Sequence, residues 1–198
     1  MTQVRIFTGS EVAPHLDAVA ALRIAVFRDW PYLYAGDREY EKNYLATYAD
    51  SPRSLFVLVF DGAEVVGAST GIPLDDETAA FQQPFLDRGI ALERVFYFGE
   101  SVLLGAYRGQ GLGHRFFDER EACARRLGGF DLTAFCAVER CADDPRRPPG
   151  HRDNDAFWTK RGYRRQEDMF CQLEWQEIGQ NFPTCHHLRF WLRPLGER

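Results

Sequence analysis

Long apolar runs are missing from this sequence: the longest, Leu55 to Phe60, is too short to cross a bilayer. A surplus of positive charge is missing too. Lys and Arg total 24 against 29 Asp and Glu, a net charge of −5. Nucleic acid as a main partner needs clustered positive charge that answers the phosphate field, and this balance argues against it. Binding driven by anionic lipid is disfavoured for the same reason, so no membrane partner is expected. The five cysteines, at 123, 136, 141, 171 and 185, form no CxxC pair. His186 and His187 beside Cys185 are too few ligands for zinc, so no metal is expected and the thiols read as idle ones in a reducing compartment. Met1 to Ser10 has neither a basic n-region nor an apolar h-region. A soluble, cytoplasmic protein is the expectation.

What is present is globular in kind. The 198 residues are 45% hydrophobic and 27% charged, enough to bury a sizeable core and too apolar for wholesale disorder. No internal repeat or long linker divides the chain, so residues 1–198 read as one domain. Val4 and Ile6 suggest a first strand. Leu16, Val19, Ala20, Val26 and Phe27 then follow helical spacing, with Pro14 placed for a first turn. Arg23 interrupts that apolar face and is expected to snorkel to solvent. Pro31 breaks the helix within Trp30 to Tyr34. Asp37 can cap a second helix whose Tyr40, Tyr44 and Tyr48 recur at i, i+4 spacing. Leu55–Phe60 and Val65–Ala68 around Asp61-Gly62 predict a hairpin. Asp75 to Asp87 reads as a short helix or loop, Arg94 to Leu104 as a strong strand, Gly111 to Leu127 as a helix and Asp131 to Val138 as a strand. A Pro/Arg/Asp-rich loop over 140–152, a short helix near 153–161 and strands around 169–175 and 188–192 complete the chain. This order predicts one α+β sandwich.

The chemistry concentrates between Tyr97 and Gly113, where a strand runs into a glycine-dense turn that opens a helix. Glycine lets backbone amides approach a ligand, and a helix N-terminus adds free donors and partial positive charge. A pyrophosphate suits such a site, with Arg108 as reinforcement. A P-loop would need Gly-Lys-Ser/Thr, and Leu112-Gly113-His114 supplies none of it. A dinucleotide fold would need a βαβαβ unit that the chain barely accommodates. The remaining reading is a turn cradling the pyrophosphate of coenzyme A, matched by Arg-x-x-Gly-x-Gly at 108–113.

That signature, with Trp158-Thr159-Lys160-Arg161-Gly162-Tyr163 downstream, resembles the GNAT family of N-acetyltransferases. The element order is similar over most of the chain. The resemblance implies a single GNAT-like domain, its mostly antiparallel sheet flanked by helices and splayed at the fourth strand near Leu103 or Leu104. It implies acetyl-CoA as co-substrate, without a metal, and direct transfer of the acetyl group to a primary amine of a small molecule or peptide. The cofactor would contact Val102, Leu103 and Leu104 on the strand and Arg108, Gly109, Gln110, Gly111, Leu112 and Gly113 in the turn. Asn154 and Trp158 complete that set. A strand amide at Leu103 or Leu104 would hold the thioester oxygen as it gains charge.

Glu100 is the expected base, on the strand just before the splay, where desolvation would make a carboxylate more basic. A structurally paired carboxylate is the competing reading, and Glu139 is the substitute. The family's usual proton-donating tyrosine is replaced by Trp158, whose indole N–H donates hydrogen bonds without being a useful acid, so the general acid is unassigned. Tyr32 and Tyr34 fall where related folds border the acceptor. A non-catalytic acyl-CoA sensor and, behind it, a dinucleotide-dependent oxidoreductase are the alternative functions. Exposed strands and an aromatic-rich surface are compatible with a homodimer.

Overall fold

A computed structural model describes residues 2–196; Met1, Glu197 and Arg198 lie outside the described residues. The strands are β1 (Thr2–Phe7), β2 (Leu55–Asp61), β3 (Glu64–Pro73), β4 (Val95–Tyr97), β5 (Ser101–Leu103), β6 (Leu132–Val138), β7 (Arg164–Trp175) and β8 (Thr184–Pro194). The helices are α1 (Leu16–Phe27), α2 (Arg38–Asp50), α3 (Ala79–Leu86), α4 (Leu112–Leu127) and α5 (Asp155–Lys160). The strands pair in the order β1-β2-β3-β4-β6-β8-β7, with β5 on β3. Every pairing is antiparallel except β4 with β6. A doubly wound nucleotide fold is parallel throughout its core, so this topology removes the dinucleotide alternative.

The apolar run of β2 is continuous because helices cover both faces of the sheet. Phe56, Leu58 and Phe60 pack into the layer of α1 and α2, with Val19, Leu22, Leu45 and Tyr48. Leu55, Val57 and Val59 pack into the layer of α4, with Phe116, Phe117 and Ala124. Burial on both faces erases the polar alternation that a half-exposed strand would show. Asp37 caps α2 as expected, its Oδ1 accepting from the amides of Glu39 at 2.9 Å and Tyr40 at 3.1 Å. The stretch 75–87 is less peripheral than its polarity suggested, because α3 buries Phe81 and Phe85.

The strand expected over 94–104 is two strands. Tyr97 lies opposite Ile72 and Ser101 opposite Ser69, so the segment carries one residue more than β3 does across the same span. That extra residue is a β-bulge between β4 and β5. The splay also starts earlier than Leu103: the last bond from this segment to β6 is Phe98 N–H to Ala134 O, 2.8 Å. Beyond it β5 stays with β3 while β6 continues along β8, and the sheet opens between them.

Candidate active site

Thr70 anchors the bulge. Its carbonyl accepts from Gly99 N–H at 3.2 Å, its hydroxyl from Glu100 N–H at 3.3 Å, and its own N–H donates to Glu100 O at 3.2 Å. Position 99 has no room for a side chain, since a Cβ there would sit 2.3 Å from the Tyr48 hydroxyl and 2.5 Å from Thr70 Oγ1. Leu104 N–H donates to Val66 O at 3.0 Å. Hydrogen-bonded and non-bonded pairs alternate along an antiparallel ladder, so Leu103, opposite Gly67, turns its peptide groups away from β3 into the opening. Its carbonyl accepts from Arg108 Nε at 3.0 Å, and its N–H faces the open side. The three strand positions predicted to meet cofactor therefore separate. Leu103 lines the cleft, Val102 is buried in the α1/α2 layer, and the Leu104 amide is already engaged.

The glycine turn follows directly. Tyr107 ties it to the β2–β3 hairpin through its hydroxyl, which donates to Asp61 Oδ2 at 2.9 Å, and the Gln110 side chain donates to Ala106 O at 3.2 Å. Gly109 and Gly111 sit at φ +75° and +81°, with nothing within 4 Å of an added Cβ. Glycine is needed there for the backbone conformation, and the space above it stays open. Gly111 is the N-cap of α4, so the first-turn amides from Leu112 onward have no intrahelical acceptor.

An open cleft of about 760 Å³ runs from this turn along the splay. Of the predicted residues, Glu100, Leu103, Arg108, Gly113, Asn154, Trp158 and Tyr32 line it; Gly109, Gln110, Gly111 and Leu112 form the turn between Arg108 and Gly113. Trp158 stands edge-on to Phe135 and Trp191, at 5.0 and 5.2 Å between ring centroids. Asn154 caps α5, its carbonyl accepting from Trp158 N–H at 2.9 Å. Tyr163 belongs to the core, its hydroxyl 3.0 Å from Thr133 Oγ1. The 140–152 loop is fastened to the α1–α2 connection, where Arg140 donates to Pro31 O at 2.6 Å and Tyr32 O at 3.0 Å. Tyr34 does not line this cleft; it lines a smaller chamber beyond Glu100.

Glu100 is buried and firmly held. Arg23 Nη1 lies 2.5 Å from its Oε2, and the Tyr44 hydroxyl donates to the same oxygen at 2.9 Å. Arg23 also pairs with Glu41 through Nε. The expectation that Arg23 snorkels is thus wrong, because two carboxylates on neighbouring elements satisfy it inside. Burial alone would lower its guanidinium, but Glu100, Tyr44 and Glu41 outweigh that and leave it above its usual range. Burial pushes the Glu41 carboxyl up, with Arg23 pulling back. Glu100 Oε1 is buried without a hydrogen-bond partner.

A second arginine grips the same residue from the other layer. Arg120, on α4, donates to Glu100 O at 3.1 Å and to Ser101 Oγ at 2.9 Å, between the rings of Phe98 and Phe117. Burial lowers it to about 10. The substitute base, Glu139, is bound by Arg189 at 3.0 and 2.7 Å and also pairs with Arg165. These bonds hold its carboxyl below the usual range, which disfavours it as a base.

No protein-family model matches this chain, and no curated protein matches it at a significant level. Solved structures do. An N-acetyltransferase from Staphylococcus aureus Mu50 aligns over 99% of each chain, with TM-score 0.60 at 11% identity. A Salmonella typhimurium protein, described as a candidate acetyltransferase and solved with its cofactor acetyl-CoA, aligns over 100% of this chain and 96% of its own, with TM-score 0.56 at 13% identity. A candidate acetyltransferase of the GNAT family from Desulfovibrio desulfuricans covers 99% and 100%, with TM-score 0.56 at 12% identity. The chain has the GNAT fold. Within that fold, sequence reasoning missed four residues around Glu100: Arg23, Glu41, Tyr44 and Arg120. An arginine interrupting an apolar helix face was the visible signal for Arg23; Arg120 sits on an ordinary amphipathic helix and gave none.

Proposed function

We propose that this chain is an acetyl-CoA-dependent N-acetyltransferase, one acyl-CoA N-acyltransferase domain acting in the cytoplasm on a primary amine of a small molecule or peptide. One observation carries the reading: a single cleft joins the glycine turn, Leu103 with its amide turned from β3, and Glu100, whose buried Oε1 has no hydrogen-bond partner. Acetyl-CoA, when bound, supplies the acetyl group as a thioester. The first-turn amides of α4 and the side chain of Arg108 suit a pyrophosphate. Asn154 and Trp158 border the same cleft and complete the cofactor set. The Leu103 N–H is free to donate to an oxygen that gains negative charge, a contribution of order 10²–10³ in rate.

An ammonium acceptor first gives up one proton to water. The neutral amine nitrogen then forms the new C–N bond as the C–S bond breaks, and the proton it sheds passes to Glu100 Oε1. Arg23 and Tyr44 hold the other carboxylate oxygen, so the accepting one is fixed in orientation. The sulfur leaves as thiolate, a weak enough base to be protonated by water, so Trp158 need only donate a hydrogen bond. Tyr32 and Tyr34 border the acceptor side.

Calorimetry with acetyl-CoA, and NADP as control, tests the binding half; binding to acetyl-CoA alone is expected. Thiol release with a panel of amines tests the reaction. Glu100→Gln should keep acetyl-CoA affinity and lose about 10² or more in rate. Gly111→Trp should abolish binding in a folded protein. Binding without turnover on any amine would leave an acyl-CoA sensor.

A further inference from the structure

The smaller chamber, about 70 Å³, lies on the far side of Glu100 from the glycine turn. It shares Phe27, Tyr32, Gly99, Glu100 and Cys136 with the large cleft, so Glu100 stands at the junction of the two. Its walls are rings: Tyr32, Tyr34, Tyr40, Tyr44, Tyr97 and Trp175. Four of the six polar tips are engaged in hydrogen bonds, that of Tyr44 with Glu100 as described above. The Tyr34 hydroxyl accepts from Asp37 N–H at 2.9 Å, Tyr97 meets Cys136 Sγ at 3.1 Å, and the Trp175 indole donates to Tyr32 O at 3.0 Å. What faces the space is mainly aromatic surface. Tyr40 is 40% exposed and Leu173 half-buried, which puts the outer side of the chamber at these two residues.

The charge at its inner end is unequal. Arg23 is one cation set against the carboxylates of Glu41 and Glu100, all three lining the chamber. Arg23 is the one arginine or lysine lining the chamber among the described residues, and both carboxylates already bond to it. Ring faces together with a surplus carboxylate attract a cation and repel an anion. A chamber of this size takes a stem a few atoms wide and excludes a bulky head group.

We propose that the chamber selects the acceptor, and that the acceptor is a primary amine on a slender apolar stem with no carboxylate beside the nitrogen. The stem lies among the rings, and the nitrogen reaches the junction at Glu100. This assignment rests on the acetyl-transfer reading and narrows its acceptor class. α-Amino acids are excluded because their carboxylate would meet Glu41 and Glu100 with no free cation to answer it.

The test compares n-pentylamine with norleucine, which adds a carboxylate to the same stem, and with n-pentanol, which removes the charge. Binding is followed by protein chemical shifts with and without coenzyme A, and transfer by thiol release. n-Pentylamine is expected to bind and be acetylated, with kcat/KM about 100-fold or more above norleucine, and n-pentanol to bind about tenfold more weakly. Glu41→Gln should weaken n-pentylamine about tenfold while acetyl-CoA affinity is unchanged. Should that variant unfold, Leu173→Trp asks the same question by filling the chamber without touching the charges. It should abolish amine binding and spare acetyl-CoA. Equal use of norleucine and n-pentylamine overturns the proposal, as does unchanged amine affinity in a folded Leu173→Trp. Acetyl-CoA bound with none of the amines accepted overturns the chamber assignment alone. No acetyl-CoA binding at all removes the acetyl-transfer reading, and the acceptor role falls with it.

Discussion

Two buried arginines hold Glu100 from opposite layers of the sheet, and they differ in what they touch. Arg23 meets its carboxylate and that of Glu41; Arg120 meets its carbonyl and a serine hydroxyl. Burial is nearly the same, 5% and 2% exposed, yet Arg23 is held above the usual guanidinium range and Arg120 falls to about 10. Depth therefore does not decide the state of a charge; the sign and number of its partners do. Arg23 belongs to an ion cluster, whereas Arg120 is a cation dissolved in carbonyl dipoles and ring faces. Between them the side chain and the backbone of one residue are fixed independently.

Removing the ion-cluster member should cost most. Arg23→Met leaves two buried carboxylates without a counter-charge, a loss of about 3–5 kcal/mol read by chemical denaturation. Adding Glu41→Gln should recover part of it, since one orphaned charge goes with the amide. Burial already holds Glu41 above its ordinary value, so the folded protein takes up that proton before the unfolded chain does. The deficit should then shrink as pH falls through the Glu41 titration.

Arg120→Met removes donors from neutral acceptors and strands no charge, so a smaller loss of about 1–3 kcal/mol is expected. That loss should be flat with pH below about 10, because the guanidinium is protonated in both folded and unfolded chains there. Equal losses for the two variants, or a pH-dependent loss for Arg120→Met, would break the distinction. At the rim, Glu139→Gln should cost under about 1 kcal/mol, as befits a partly exposed pair. The Glu139 carboxyl is held low, so its contribution is present above its ordinary value of 4.5 and lost as pH falls through the lowered one. Below that range, wild type and Glu139→Gln should converge.

Much of this arrangement was legible in the amino-acid order. Asp37 capping α2, the hairpin at Asp61-Gly62 and the positive-φ glycines at 109 and 111 rest on local chemistry, which sequence carries directly. The helix-to-turn placement of Arg108 and Gly113 along one cleft is local as well. The bulge was not legible, because its cause is remote. Gly99 is dictated by a tyrosine of α2 and a threonine of β3, and the pairing of Glu100 by an arginine of α1. A snorkelling side chain and a buried ion pair look alike in a sequence, since both are an arginine on an apolar face; only the elements that close over it tell them apart. The tyrosines at 40 and 44 gave a helical stripe but not the chamber they surround, which needs β7 and the α1–α2 connection to be closed.

The one-residue excess in the bulge also resets which side of the strand each number faces. Phe96 and Phe98 pack under α4, whereas Val102, another even position, packs under α1 and α2, and Glu100 turns to Arg23 and Tyr44. Odd positions trade places in the same way: Tyr97 lies in the α1/α2 layer and Ser101 bonds to α4. Amino-acid exchanges along this segment can alter size and charge, but the layer that receives the carboxylate is set by the bulge. Without the bulge the same letters would alternate unbroken: Glu100 would follow Phe96 and Phe98 beneath α4, and the serine would face the tyrosines.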